Sequence, residues 1–184
     1  MIFSNISSID PAKGILEYIE AVDLAKKREG VKFEIVGKAS DVNRDYERAV
    51  REEIRRRGLG DIVIMRGFVN DIVAYLDGVD VVVLSSTAEE ALGMVLVEGM
   101  ARGKAVIATD VGGVKEIVPV GYGNVLVAPG DVRQMAEAFE KMMEYDVETL
   151  MGIGYKNCEQ AYRKFRLKNQ VEKIAKLYKE IAKQ

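Results

Sequence analysis

The sequence predicts an α/β protein in three layers, a Rossmann-like, doubly wound parallel sheet of about six strands. Two observations predict it. Short β-rich runs alternate with amphipathic helical stretches along the chain. The run DVVVLSS (80–86) is almost wholly apolar and β-branched, as a strand buried on both faces must be. The chain of 184 residues, 48% hydrophobic, suffices for one sizeable core, so a single domain is expected across 1–184.

MIFSNIS (1–7) reads as a weak first strand. Pro11 opens a helix through about Arg28, with Ile15, Leu16, Ile19, Val22 and Leu24 spaced for one apolar face. VKFEIVG (31–37) is the second strand, and a charged helix across 43–57 stops at Gly58. DIVIMRG (61–67) is the third, followed by a short helix over 70–78 capped by Asn70. After the strand at 80–86 comes a helix built on MVLVEGMA (94–101), then the strand AVIAT (105–109) and a short helix near 113–118. The strand NVLVA (124–128) precedes a helix from Asp131 to about Tyr145, and two further helices finish the chain, the last at about 167–183.

Composition removes several function classes. Lys and Arg number 27 against 29 Asp and Glu, a net charge of −2, which argues against a nucleic-acid partner. Histidine is absent, and with it the commonest general base and transition-metal ligand. The one cysteine, Cys158, excludes an internal disulfide and fits a reducing compartment. No apolar run approaches the roughly 18–20 residues of a membrane span, and Met1–Asp10 has no leader pattern, so a cytoplasmic protein is expected. There is no Gly-Lys-Ser phosphate loop, paired-cysteine pattern or nucleophile elbow, and GLGDIV (58–63) precedes a strand instead of following one.

Six such strands most commonly take the order 3-2-1-4-5-6, which puts the ligand crevice at the carboxyl ends of strands 1 and 4. The loops there read SSIDPAKG and STAEEALG. Gly93 lets backbone approach a ligand, and the amides of Met94, Val95 and Leu96 leave a helix N-terminus suited to an anion. Lys13 adds a full positive charge. Glu98 interrupts an apolar run and would cost several kcal/mol if buried unpaired, so it is expected to accept hydrogen bonds from vicinal hydroxyls, as the acid of a Rossmann ribose site does. Glu90, at the mouth, would do the same for a second polyol. Ribose, diphosphate and hexose in that order describe a nucleotide sugar. The plainer alternatives are a structural ion pair of Glu98 with Lys13 or Arg102, a solvated Lys13, and packing roles for Gly93 and Gly99. The basic amphipathic stretch FRLKNQVEKIAKLYKEIAKQ (165–184) is expected to lay its Leu, Val and Ile stripe on the domain, with contact to a membrane surface as the alternative.

EEALGMVLVEGMARGKAVIATDVGGVKEIV (89–118) resembles the signature of the group-1 family of glycosyltransferases, retaining enzymes of the GT-B fold. The likeness extends to DPAKG, FEIVGKAS, IMRGFVNDIVAYLDGVDVVVLSS and the closing FRLKNQVEKIAKLYKEI, essentially the whole chain. It implies that Glu98 holds the donor ribose. Glu90 and the backbone of Ala91, Leu92, Gly93, Met94 and Val95 hold the donor sugar and distal phosphate. Lys13 neutralises the diphosphate, making Glu90 and Lys13 the catalytic residues, and loops at Gly37, Lys38, Phe68 and Val69 frame the base. No metal and no cofactor are implied beyond the nucleoside-diphosphate sugar itself.

Two positions depart from the family pattern. Ser8 stands where an arginine is usual, five residues before the lysine; a preorganised group of that kind is worth about 2.7–4 kcal/mol in a transition state. Lys38 and Arg66 are the candidate replacements. Ala91 replaces a frequent glycine. The resemblance also implies a partner, an N-terminal Rossmann-like acceptor domain in the same polypeptide or a separate subunit, without which this chain transfers little. Other readings are a non-catalytic nucleotide-binding or regulatory module, and an epimerase or phosphorylase domain of the same fold.

Overall fold

The structure, a computed structural model, describes residues 1–25 and 29–182. Its strands are β1 (Ile2–Ile6), β2 (Lys32–Val36), β3 (Val63–Gly67), β4 (Val81–Leu84), β5 (Ala105–Thr109) and β6 (Val125–Val127). They form one parallel sheet in the order β3-β2-β1-β4-β5-β6, the order expected from sequence. The helices are α1 (Ile15–Leu24), α2 (Arg44–Arg56), α3 (Ile72–Asp77), α4 (Met94–Ala101), α5 (Val114–Ile117), α6 (Val132–Met143), α7 (Val147–Phe165) and α8 (Leu167–Ile181).

Alternation along the strands divides the interior into two layers. Phe3, Phe33, Ile35, Val81, Val83 and Ile107 pack under α1, α2 and α6. At its centre Phe33 stacks on Phe3 at 5.0 Å and meets Phe139 edge-on at 5.1 Å, with Tyr18 closing the cluster. On the other face Val82, Leu84, Val106 and Ala108 pack under α3, α4, α5 and α7.

Four local expectations change. The helix expected from Pro11 is broken: Pro11–Lys13 makes one 3-10 turn capped by Asp10, whose Oδ1 accepts from the Ala12 amide at 2.9 Å. Gly14 then turns left-handed, at φ 61°, before α1 begins. A Cβ on Gly14 would lie 2.0 Å from the Ser85 carbonyl oxygen, so the loop after β4 presses into the break. The expected end at Arg28 lies outside the described residues. Leu24, expected on the buried face of α1, is half exposed, whereas Tyr18 is fully buried. The cap of α3 is Asp71, not Asn70, with Oδ1 accepting from the Ala74 amide at 2.9 Å.

The fourth change is α8. None of its residues is buried, and Leu167, Val171, Ile174, Leu177 and Ile181 are each more than half exposed. The stripe expected to lie on the domain faces outward, because α7 already packs against α4 and β5 and the extended backbone of Arg166 (ψ 133°) turns the chain away. The expected end at residue 183 is outside the described residues.

One glycine sets the seat of α4 on the sheet. A Cβ on Gly99 would lie 2.6 Å from Val82 Cγ2 and 3.2 Å from its Cβ, in a fully buried, rotamer-stiff strand residue. Gly99 is therefore a packing glycine. In Gly99→Ala the helix-propensity gain of about 1 kcal/mol opposes an overpacking cost of about 1–3 kcal/mol. The overpacking wins, and a net loss of about 1 kcal/mol is expected in urea unfolding, with a larger one for Gly99→Val. A midpoint unchanged or raised in both variants contradicts this packing.

Candidate functional site

The chain diverges between β1 and β4: β1 leads to a helix on one face and β4 to a helix on the other. The register Phe3–Val81, Ser4–Val82 and Asn5–Val83 places both loops at one end of the sheet. A buried polar relay ties them. Asn5 Nδ2 donates to Ser85 Oγ at 2.6 Å, Ser85 Oγ donates to the Lys13 carbonyl at 2.7 Å, and Ser7 Oγ donates to Asn5 Oδ1 at 3.1 Å. Thr109 Oγ1 holds the next residue along, donating to the Ser86 carbonyl at 2.7 Å. Leaving one such group unpaired costs about 1–3 kcal/mol.

Two adjoining cavities open above this relay and share Ile6, Ser7 and Ser8. The larger, about 490 Å³, is walled by Val36, Gly37, Ala39, Phe68, Val69 and Ile72, with Lys38 and Glu98 at its polar side. Its loops are drawn together by glycines. A Cβ on Gly37 (φ 142°) would lie 1.8 Å from the Ser7 carbonyl oxygen, and the Gly37 amide donates to the Gly67 carbonyl at 2.8 Å. Lys38 Nζ sits 5.2 Å above the Phe68 ring.

The smaller cavity, about 250 Å³, is lined by Lys13, Glu90, Gly93, Met94 and Val95. Lys13 Nζ lies 2.6 Å from Glu90 Oε2, their side chains 27% and 19% exposed. Ser86 Oγ donates to the same oxygen at 3.3 Å. Gly93 is left-handed at φ 63° while an added Cβ would meet only ordinary contacts, so its role is conformational: it aims the start of α4 at the cavity. The Leu96 amide is spent on the Gly93 carbonyl at 2.9 Å. Met94 and Val95 are left to supply the amides facing the cavity, two where three were expected.

Residues 1–165 match the family described as glycosyl transferases group 1. The chain belongs to that family. Among its relatives, the alpha-D-kanosaminyltransferase of Streptomyces kanamyceticus is 30% identical over 96% of this chain and 45% of its own length. Anabaena Alr3699/HepE, solved with UDP and glucose, superposes with a TM-score of 0.89 at 29% identity, covering 97% of this chain and 48% of that one. The C-terminal domain of the group 1 family protein LpcC from Francisella tularensis gives a TM-score of 0.81 at 26% identity, with 90% and 86% covered. The chain thus has the fold of GT-B glycosyltransferases and spans about half the length of the curated relatives it matches, corresponding to their C-terminal half.

Of the residues expected at the donor site, Lys13, Gly37, Lys38, Phe68, Val69, Glu90, Gly93, Met94, Val95 and Glu98 line the two cavities. Ala91 and Leu92 do not; Leu92 lines a separate groove with Lys115 and Arg163. Glu98 is exposed on α4, so the burial cost that first singled it out does not arise. Neither expected partner pairs with it, since Lys13 is bound to Glu90 and Arg102 to Asp77.

Arg66 is not a free cation. It donates at 2.6 Å to Glu34, which is 2% exposed, and Tyr75 donates to the other carboxylate oxygen at 2.6 Å. Lys38 alone of the two candidates reaches the cavity. Sequence reasoning missed Gly112 (φ 51°), whose Cβ would lie 2.0 Å from the Glu90 carbonyl oxygen, and Gly113, whose amide donates to that oxygen at 3.3 Å. The DVGG quartet thus fixes the loop that carries Glu90. Asn5, Ser85 and Thr109 were missed as well; polar residues inside strands were the signal.

Glu34 has a consequence for stability. Burial pushes its carboxyl up, but the Arg66 and Tyr75 hydrogen bonds outweigh burial and hold it below its ordinary value. A folded pKa below the unfolded one contributes stability that is full above the unfolded value and is lost as pH falls through the folded one. Urea midpoints are therefore expected to decline below about pH 4.5, the ordinary carboxylate range, and Glu34→Gln to flatten that decline while lowering stability at neutral pH. An unaltered acid limb in the variant contradicts the assignment.

Proposed function

We propose that residues 1–184 form the nucleotide-sugar-binding domain of a retaining glycosyltransferase, which transfers a hexosyl group from a nucleoside diphosphate to an acceptor held elsewhere. One observation carries the reading: an apolar cavity with a carboxylate at its rim adjoins a small cavity with one lysine, two open helix amides and a second carboxylate. The base lies against Phe68 and Val69, with Gly37 and Lys38 framing it. Glu98 accepts from the ribose hydroxyls, and Glu90 accepts from hydroxyls of the sugar. Solved neighbours bound to UDP and to UDP-glucose support a uridine donor as the first to test.

Charge developing on the departing diphosphate is met by Lys13 and by the amides of Met94 and Val95, whose helix end is worth about 0.3–1 kcal/mol per charge when exposed. Of the two candidate replacements for the arginine absent at Ser8, Lys38 alone has its ammonium at the site, over Phe68 in the larger cavity. In this reading the phosphate charge is met by these groups, and no metal is invoked. The acceptor is held by a second Rossmann-like domain, in the same polypeptide or a separate subunit, and the outward apolar stripe of α8 is the face that supports such a neighbour. Among the described residues no helix is long and apolar enough to cross a membrane. This half alone binds donor and transfers little.

Calorimetric titration with UDP, GDP and ADP tests the reading. One nucleotide is expected to bind in the micromolar-to-millimolar range, and Glu98→Ala to weaken it by about 1.5 kcal/mol, the low end for a hydrogen bond to a charged group at an exposed site. Absence of binding by all three to the folded chain contradicts it.

A further inference from the structure

We propose that the Lys13–Glu90 ion pair is a built-in competitor for the donor's diphosphate, which makes the site prefer the nucleotide sugar over the free nucleoside diphosphate. This rests on the nucleotide-sugar reading of the two cavities. Among the described residues, Lys13 and Glu90 make no other ion pair, and they meet at 2.6 Å across the smaller cavity. The ammonium that a phosphate would use is already engaged by a carboxylate of the protein.

Neither backbone can retreat. The Lys13 carbonyl accepts from Ser85 Oγ at 2.7 Å, and the Glu90 carbonyl is held by the Gly113 amide at 3.3 Å and crowded by Gly112. Only the side chains can separate. A diphosphate drawn to Lys13 and to the Met94 and Val95 amides therefore displaces a carboxylate that stays in the same cavity of about 250 Å³.

Glu90 then keeps only the Ser86 hydroxyl, 3.3 Å away, and needs new donors. A nucleotide sugar brings them, because its hydroxyls lie beyond the distal phosphate. A free nucleoside diphosphate brings no hydroxyl there and one more negative charge, so like charges are left facing each other. Glu90 thus rewards the intact donor and disfavours the nucleotide product. When the sugar has gone, the carboxylate returns to Lys13 and helps expel the diphosphate.

Calorimetry with UDP and with UDP-glucose on the wild-type chain, Glu90→Gln, Lys13→Met and the double variant tests this. Wild type is expected to bind UDP-glucose more tightly than UDP. Glu90→Gln is expected to bind UDP about three- to tenfold more tightly, above the range of an exposed ion pair because this pair is partly buried, and to lose its preference for UDP-glucose. Lys13→Met is expected to weaken UDP about tenfold or more, since it removes the ammonium and leaves Glu90 facing the diphosphate without a counter-ion, and Glu90→Gln added to it to recover part of that loss. Wild-type binding of UDP with an equal or weaker affinity in Glu90→Gln overturns the competitor while leaving the nucleotide site standing. No binding of either ligand to any variant overturns both.

Discussion

The parallel pairing of β1 with β4 is the constraint on which the site depends. It brings two loops that are more than seventy residues apart in sequence to one end of the sheet, with their helices on opposite faces. A parallel pair holds its strands in register but says little about the loops beyond them. That is settled by polar groups buried where strands are normally apolar: Asn5, Ser85 and Thr109 fasten the loops to one another and to the sheet. The desolvation of these groups is offset only while every partner is present, so the loops take one arrangement.

Close backbone approach does the rest. Gly14 meets the Ser85 carbonyl, Gly37 the Ser7 carbonyl and Gly112 the Glu90 carbonyl, each at a distance no Cβ would allow. Together they pin the chain on either side of Lys13, Gly37–Lys38 and Glu90. Gly99 lets α4 sit low on β4, which brings Met94 and Val95 to the cavity floor. The backbone that carries Lys13 and Glu90 is thus held in place, so any separation of their ion pair falls to the side chains.

Much of this was legible in the sequence. Strand order followed from the alternation of elements, and Lys13, Glu90 and Glu98 from charge placed at the switch point. Other features were not, for identifiable reasons. Glu98 reads as a buried acid in a linear run, but the period of the helix turns it outward. Gly14 reads as an interior helix residue until the Ser85 carbonyl is seen against it. MIFSNIS reads as a weak strand because Ser4 and Asn5 lower its apolar content, yet β1 lies between β2 and β4 and those residues are buried. The polarity that weakens the strand signal is the signature of the site. The stripe of α8 has the pattern of a buried helix, and periodicity cannot say which surface it is buried against.

The most direct measurement is an amide chemical-shift map of the isotope-labelled chain titrated with UDP-glucose. Perturbations are expected at Gly37, Lys38, Phe68, Val69 and Glu98 around the larger cavity, and at Lys13, Glu90, Met94 and Val95 around the smaller one. Residues of α8 are expected to stay unmoved. Shifts confined to α8 or to the groove beside Leu92, or none at saturating ligand, would contradict a nucleotide-sugar site between β1 and β4.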